Sequence, residues 1–457
     1  MLSLRWSDNK AIAIYSSVGV LYKSYRIPID LTSDHLAVAI LFIALLTFLP
    51  GTAMFANISK SNSTHYEKPI IFDPTLSVEL VYKGISKPTD IEFLGDDDIL
   101  VLEKNKGTVK RIVNGEMSEE TLLDVNVANQ EEQGILGMAV EKKGDSEERE
   151  GRVYVFLYYT EAGEEDGVEA VGNRLYRYEL INDELANPKL LLELPADPGP
   201  YHNGGKIEIG PDGNLYVIVG DIDNVERGKK FKTQNSGEEP DGRAGILRIG
   251  QDGEKIEPIL GEEPNLLSRY YAYGIRNGYG IDFDPITGKL WDTENGPTFG
   301  DEINLVRPGF NSGWDRIQGF FMLMHNNTLE GLENYGQKGT YSDPEFVWNI
   351  TSGATALKFI RSSEYGEEYT NDLLVGDYHN GYLYHFKLNQ DRTSLALSGP
   401  ILDKIANSVE ELKDIILGKG FLGITDIEVG PDGYLYIVSY WGGSIWRIVP
   451  TGNLTDL

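Results

Sequence analysis

The sequence predicts an all-β chain, a six-bladed β-propeller preceded by one apolar helix. Three observations carry this. A strand-turn-strand unit recurs around the turn Gly-Pro-Asp-Gly-x-Leu-Tyr, as "GPDGNLYVIVGD" from Gly210 and "GPDGYLYIVSY" from Gly430. Helical periodicity is almost absent beyond the polar linker "NISKSNSTHYEKP". One charge-free stretch, "LAVAILFIALLTFLPGTAMFA" from Leu36 to Ala56, stands apart from all that follows.

At the N-terminal side, Arg5, Lys10, Lys23 and Arg26 precede the apolar stretch. Its 14 residues before Pro50 match the core of a signal peptide, and its 21 residues through Ala56 suffice for a spanning helix interrupted by Pro-Gly. Cleaved signal and retained membrane anchor both stay open, and both put the remainder outside the cytoplasm. A buried helix of a globular domain is the plainer alternative, but a polar linker follows at once. The expected organisation is residues 1–56 as the N-terminal region, 57–76 as linker and 77–452 as propeller. The formal net charge of −30 argues against nucleic-acid phosphates as partners. The absence of cysteine excludes disulfides and Cys-ligated zinc.

The blades follow in order. "FLGDDDILVLEKNKGTVKRIV" from Phe93 gives one unit, and "QGILGMAVE" with "GRVYVFLYYT" and "NRLYRYEL" a second. The Gly210 turn centres a third, "FDPITGKLWDTENG" from Phe283 a fourth, "TNDLLVGDYHNGYLYHFKL" from Thr370 a fifth, and the Gly430 turn a sixth. Each alternates apolar residues between Asp-Gly-type turns. "SVELVYKG" from Ser77 is expected to close the ring by joining the last blade. Two packed sandwiches are the other all-β reading; the repeated turn favours the propeller. The stretches "DNVERGKKFKTQNSGEEPDGRAG" and "RIQGFFMLMHNNTLEGLENYGQKGTYSDPE" are too long for idle hairpin turns and suit the walls of a site at the axial channel.

Candidate chemistry clusters in a few segments. His202, in "YHNGGK", stands before a Gly-Gly step at the mouth of a meander. An imidazole there is either a loop side chain in water or a general base. Arg276 and Asn277 lie between glycines in "GIRNG", where the guanidinium suits an anionic oxygen or a quinone carbonyl; an arginine tying two loops is equally good on this pattern alone. In "ENGPTFGDEIN", Asp301 and Glu302 offer hard oxygen ligands for Ca²⁺ without the spacing of an EF-hand, and such a pair is usually solvated surface.

Taken in order, "EEQGILGMAV", "NRLYRYEL", "YHNGGKIEIGPDGNLYVIVGD", "GILRIGQDG", "GIRNGYGIDFDPITGKLW", "ENGPTFGDEINLVRPGFNSGWD" and "TDIEVGPDGYLYIVSYWGGSIWRI" resemble the soluble glucose/sorbosone dehydrogenase family. Its members are six-bladed propellers that use pyrroloquinoline quinone (PQQ) and calcium. The resemblance implies an exported quinoprotein that oxidises an aldose at C1 by hydride transfer to PQQ and passes electrons to an acceptor it does not name. It implies that His202 is the general base, that Arg276 stabilises charge on the quinone oxygen and that Asn277 contacts the cofactor. The carbonyls of Gly296 and Pro297 match those holding the active-site calcium, with Asp301 and Glu302 as the associated acidic pair. Glu132 falls where the family's pocket has glutamine, with Gln133 beside it as a cofactor contact, and Asp221 is read with Glu132 on the substrate side. The family's glucose-oxidising members meet the PQQ carboxylates with a lysine and two arginines. Here those positions are His379, Gly423 and Thr425, of which His379 and Thr425 are read as cofactor contacts, and Lys419, Lys358 or Arg316 are the cations available to replace the lost ones. The loss favours a second reading, a non-catalytic carbohydrate- or protein-binding propeller. A third, a calcium-dependent lactonase-type hydrolase, would need acidic and amide side chains converging on an axial metal.

Overall fold

The computed structural model describes residues 2–7, 11–16, 68–143, 151–223, 239–323 and 328–453. The chain divides into two units, Met1–His65 and Tyr66–Leu457. In the first, Leu2–Ser7 and Ala11–Ser16 pair as an antiparallel hairpin. The apolar stretch Leu36–Ala56 lies outside the described residues. Among the described residues no helix is long and apolar enough to cross a membrane.

The second unit is an all-β propeller. Its sheets are built on the inner strands Pro88–Gly95, Ile135–Lys142, Ile207–Ile209, Gly278–Phe283, Ala354–Phe359 and Ile424–Val429. Each inner strand packs against the next, and the last packs against the first, so the described sheets close into a ring. Leu76–Lys83 joins the last sheet antiparallel to Ser444–Pro450, tying the start of the propeller to its end. This removes one pair of exposed edges. The short strand Ile70–Ile71 pairs with Ile416–Lys419. It lies in the stretch read as linker, because two residues show no alternation to announce a strand. Sheets are glued face to face by apolar side chains, as where Trp291, Phe346, Trp348 and Phe359 meet at 0–1% exposure.

The repeated turn explains itself in atoms. The Gly210 N–H donates to the Asn214 carbonyl at 2.9 Å, and the Gly430 N–H to the Tyr434 carbonyl at 2.8 Å. The Asp212 carboxylate accepts from the Asn214 N–H (3.1 Å) and the Tyr216 hydroxyl (3.1 Å). Asp432 accepts from the Tyr434 N–H (3.0 Å) and the Tyr436 hydroxyl (2.9 Å) in the same way. A Cβ at Gly210 would come within 2.5 Å of the Tyr216 ring, and one at Gly430 equally close to Tyr436. The glycine, the aspartate and the tyrosine are therefore one device, which is why they recur together.

Charged residues, not apolar ones, fill the axis. Lys206 Nζ donates to Asp426 (2.7 Å), Asp90 (3.1 Å) and Glu428 (3.3 Å). Lys358 Nζ donates to Glu428 (2.7 Å) and Glu208 (3.0 Å). Asp282, fully buried, pairs with Arg361 and accepts the Phe359 N–H at 2.8 Å. Burial alone would lower the Lys358 pKa; the Glu208 and Glu428 carboxylates outweigh it and raise it. Burial pushes Glu208 up to about 7 against the pull of Lys358.

Lys358→Met leaves Glu208 without its cation and Glu428 with Lys206 alone. We expect it to lower unfolding free energy by about 3–5 kcal/mol at pH 8. Without the lysine, the folded-state pKa values of both carboxylates rise, so the folded state binds more protons and part of the loss returns as pH falls from 8 to 5. Denaturant midpoints at both pH values measure this; equal losses at both would refute it.

Candidate active site

A cavity of about 390 Å³ opens above this charged axis. His202, Glu132, Arg276, Asn277, Gly296, Pro297, Asp301, His379 and Thr425 all line it, so one site gathers residues that are up to 293 positions apart (132 to 425) in the chain.

The segment Tyr201–Lys206 connects the mouth to the axis. His202 is buried and takes a left-handed backbone at φ 64°. Gly204 (φ 63°) and Gly205 (φ 116°) follow, and a Cβ at Gly204 would lie 2.4 Å from the Ile218 carbonyl oxygen. Only glycine permits that approach. The His202 Nδ1–H donates to Asp221 Oδ1 at 2.5 Å, and the Trp314 Nε1–H donates to Asp221 Oδ2 at 2.7 Å. A carboxylate is an acceptor, so it fixes the tautomer with the proton on Nδ1 and leaves the Nε2 lone pair for a ligand. Asp221 is fully buried and absent from the cavity lining; it orients His202 and does not face a sugar, which corrects its reading as a substrate contact.

Glu132 holds the base from the other side. Its Oε2 accepts the His202 backbone N–H at 2.7 Å and its Oε1 accepts Asn277 Nδ2 at 3.5 Å. Burial, and then the Glu132 carboxylate, hold the Tyr279 pKa well above its ordinary value, keeping that phenol protonated against Glu132. Gln133 is buried and outside the lining, with its N–H donating to the Gln130 carbonyl at 2.8 Å. The residue beside the pocket acid thus turns away from the pocket, and its reading as a cofactor contact is corrected.

Arg276 is fixed for anion work. Its Nη1 donates to the Asn295 carbonyl at 2.7 Å, its backbone N–H donates to Glu294 Oε1 at 2.7 Å, and its guanidinium lies 5.4 Å from the Trp314 ring centre. The buried Asn277 Oδ1 and Asn295 Oδ1 have no protein partner. Thr425 lines the cavity, but its hydroxyl proton goes to the Pro88 carbonyl at 2.9 Å, leaving it an acceptor.

The acidic pair splits. Asp301 Oδ1 accepts the Gly296 N–H at 2.9 Å, and Oδ2 accepts the N–H groups of Ser352 and Gly353 at 2.7 Å each. It fastens the Gly296–Pro297 turn, whose residues face the cavity. Glu302 points the other way along its strand. It joins Glu294, opposite it in register, and Asp292, opposite Asn304, in a buried acidic cluster. Burial, then the neighbouring Glu294, raises the pKa of both Glu302 and Asp292 well above the carboxylate range. Both Asp292 oxygens, Asn304 Oδ1 and Gln318 Oε1 lack partners there. Among the described residues no three acidic or imidazole side chains form a ready metal site by themselves, so these amide oxygens would have to complete one.

None of the cations named from sequence reaches the cavity. Lys358 serves the axis, Lys419 lies 5.5 Å from the Phe72 ring centre, and Arg316 donates to the Gly331 carbonyl at 2.8 Å. Two lysines that the sequence did not single out take their place. Lys206 forms the floor. Lys104 lines the wall, buried, with Nζ donating to the Glu131 carbonyl (2.7 Å) and Asn105 Oδ1 (3.1 Å). Burial and then Lys87 push the Lys104 pKa down to about 8. Lys104 is unremarkable in a charged strand end, and only the ring closure brings it to the site. At the axis the carboxylates are paired with Lys206 and Lys358, not with the amide side chains that a lactonase metal would need.

Residues 85–447 match the family model for glucose/sorbosone dehydrogenase. The chain is 24% identical over 384 residues to the aldose sugar dehydrogenase YliI of Escherichia coli, covering 80% of this chain and 90% of that one. It is 24% identical over 348 residues to quinoprotein glucose dehydrogenase B of Acinetobacter calcoaceticus, covering 72% and 68%. In three dimensions it resembles the PQQ-bound aldose sugar dehydrogenase of Streptomyces coelicolor, with a TM-score of 0.59 at 21% identity over 84% of this chain and 99% of that one. With a buried His-Asp pair, a fixed arginine and a match spanning most of the propeller, the chain belongs to the glucose/sorbosone dehydrogenase family.

Proposed function

We propose that the protein oxidises an aldose at C1 with PQQ as cofactor and His202 as general base, outside the cytoplasm. The observation that carries this is the His202 ring, locked by Asp221 at 2.5 Å and facing the cavity with Arg276 and Asn277. The donor set fits a polyanion, with a fixed guanidinium and a buried lysine, while the two unpartnered amide oxygens are acceptors for N–H or O–H groups of the ligands. Bound PQQ would supply the carbonyl that accepts hydride from C1. His202 Nε2 takes the proton of the anomeric hydroxyl, and the sugar leaves as its lactone. Arg276 steadies negative charge on the oxygen it faces, and Asp221 stabilises the imidazolium formed. The closed floor keeps bulk water from the reacting ring.

A lost general base costs about 10²–10⁴-fold in rate. His202→Asn tests this cleanly, because Asn tolerates positive φ and still donates to Asp221. Sugar-driven reduction of bound PQQ should fall by that factor, with PQQ affinity by absorbance titration unchanged. A rate within about tenfold of wild type would remove the base from His202.

Lys104 gives the cofactor site a pH signature. Free Lys104 is charged below about 8. A bound carboxylate favours the charged form, so above that pH binding takes up a proton and PQQ affinity declines, approaching about tenfold per pH unit. Glu131, Glu132 and Lys87 are the other charges around it. In Lys104→Met the affinity at pH 7 drops and this slope disappears. Equal slopes in both proteins would show that Lys104 does not meet the cofactor.

We assign a calcium to the cluster of Glu302, Asp292 and Glu294, where a divalent cation offsets three buried carboxylates, and keep the Gly296 and Pro297 carbonyls as ligands for one on the cavity side. Millimolar Ca²⁺ should raise the melting temperature over that in EDTA, and Glu302→Gln should shrink the difference. Superimposable wild-type melting curves would count against it. Export, by a cleaved signal or a retained anchor, follows from the N-terminal sequence; detecting the chain only in the cytoplasmic fraction would contradict it.

A further inference from the structure

The turn between Leu435–Ser439 and Ser444–Pro450 carries Tyr440 and Trp441. Tyr440 lines the cavity, and Trp441 beside it is 54% exposed while the buried Trp291 and Trp348 are at 0–1%. An exposed indole is usually loose, but this one is held. The turn beneath it is pinned by backbone bonds, from the Trp441 backbone N–H to the Leu422 carbonyl at 3.0 Å and from the Tyr440 backbone N–H to the Gly423 carbonyl at 2.8 Å. The indole meets Tyr440 edge-on at 4.9 Å and Tyr378 at 5.7 Å. A Cβ at Gly423 would sit 3.0 Å from Trp441 Cδ1 and 3.4 Å from Nε1. The ring thus occupies the room that a side chain at 423 would need, at a position where the family resemblance expects arginine.

We propose that Trp441 is a stacking platform for the second pyranose ring of an aldose oligosaccharide whose reducing-end ring lies in the cavity. This rests on the aldose-oxidising reading above. A pyranose presents an apolar C–H face and a rim of hydroxyls, which is the complement of a rigid indole beside polar groups. Those groups are present. Tyr378 lines the cavity with Tyr440, and Glu131, exposed at the rim, is close enough to bear on both phenols. Burial, then Glu131, pushes Tyr440 up to about 12, so its hydroxyl remains a donor at neutral pH. Glu131 at the rim offers an acceptor for the hydroxyls of a neutral polyol. Trp441 adjoins Tyr440 of the cavity wall, so an oligosaccharide with its reducing end at His202 and its next ring leaving over Tyr440 would meet the indole.

The test compares glucose with maltotriose and cellotriose on the PQQ- and Ca²⁺-loaded protein and on Trp441→Ala. For whichever linkage is used better by wild type, the variant should raise KM about tenfold, leave kcat nearly unchanged, and leave glucose kcat/KM within about twofold; Trp441→Phe should restore most of the loss. Binding is read separately: the trisaccharide quenches tryptophan fluorescence of the PQQ-free wild type and not of Trp441→Ala. Wild type that handles both trisaccharides no better than glucose, or a variant that loses glucose and trisaccharide equally, overturns the platform. Glucose oxidation without any fluorescence response also sinks the platform and spares the oxidising reading. A quench that vanishes in Trp441→Ala, with no sugar reducing bound PQQ, supports the platform and sinks the oxidising reading instead.

Discussion

Two buried lysines hold the centre of the ring. Lys206 and Lys358 between them bind carboxylates from the inner strands Pro88–Gly95, Ile207–Ile209 and Ile424–Val429. Such a network is demanding, since each ion has left water and each must find its partners. Once satisfied, it specifies which inner strand neighbours which. It also sets the floor on which the site is built, because Lys206 is four residues from His202 in the same segment. The two glycines between them let the backbone pass under Ile218 and Tyr158, so the base at the mouth and the cation at the floor are placed by one short run of chain.

The propeller was legible because its turns are chemically self-contained. Gly210, Asp212 and Tyr216 satisfy one another within seven residues (210 to 216), and a local device leaves a local signature. His202, Arg276 and Asn277 were legible for a related reason: glycines flank each of them where the backbone must bend or approach closely. Lys104, Lys206 and Trp441 were not. Each owes its role to neighbours brought together by ring closure, and nothing in the adjacent residues hints at it. The Asp301–Glu302 pair shows the limit most plainly. Adjacent residues in a strand face opposite ways, so a pair that reads as one acidic patch becomes a turn fastener on one side and a member of a buried acidic cluster on the other.

Glu132 and Gly423 show how the site departs from its relatives without losing coherence. A carboxylate at 132 accepts both a backbone N–H and an amide N–H, which a glutamine oxygen and amide together could not match without turning a donor toward a donor. A glycine at 423 removes a cation and makes room for an indole. Lys104, at the end of the neighbouring sheet, lines the cavity and is a cation available to an anionic ligand there.

The ion pairs beneath the cavity also decide its traffic. Lys206 and its carboxylates fill the base of the cavity and bar passage along the axis there. For an aldose-oxidising enzyme, sugar, lactone and electron acceptor would then share the approach on the side of His202. Turnover would become a two-stroke cycle in which the lactone clears before the acceptor docks. Each visitor, present in excess, then blocks the other at the threshold.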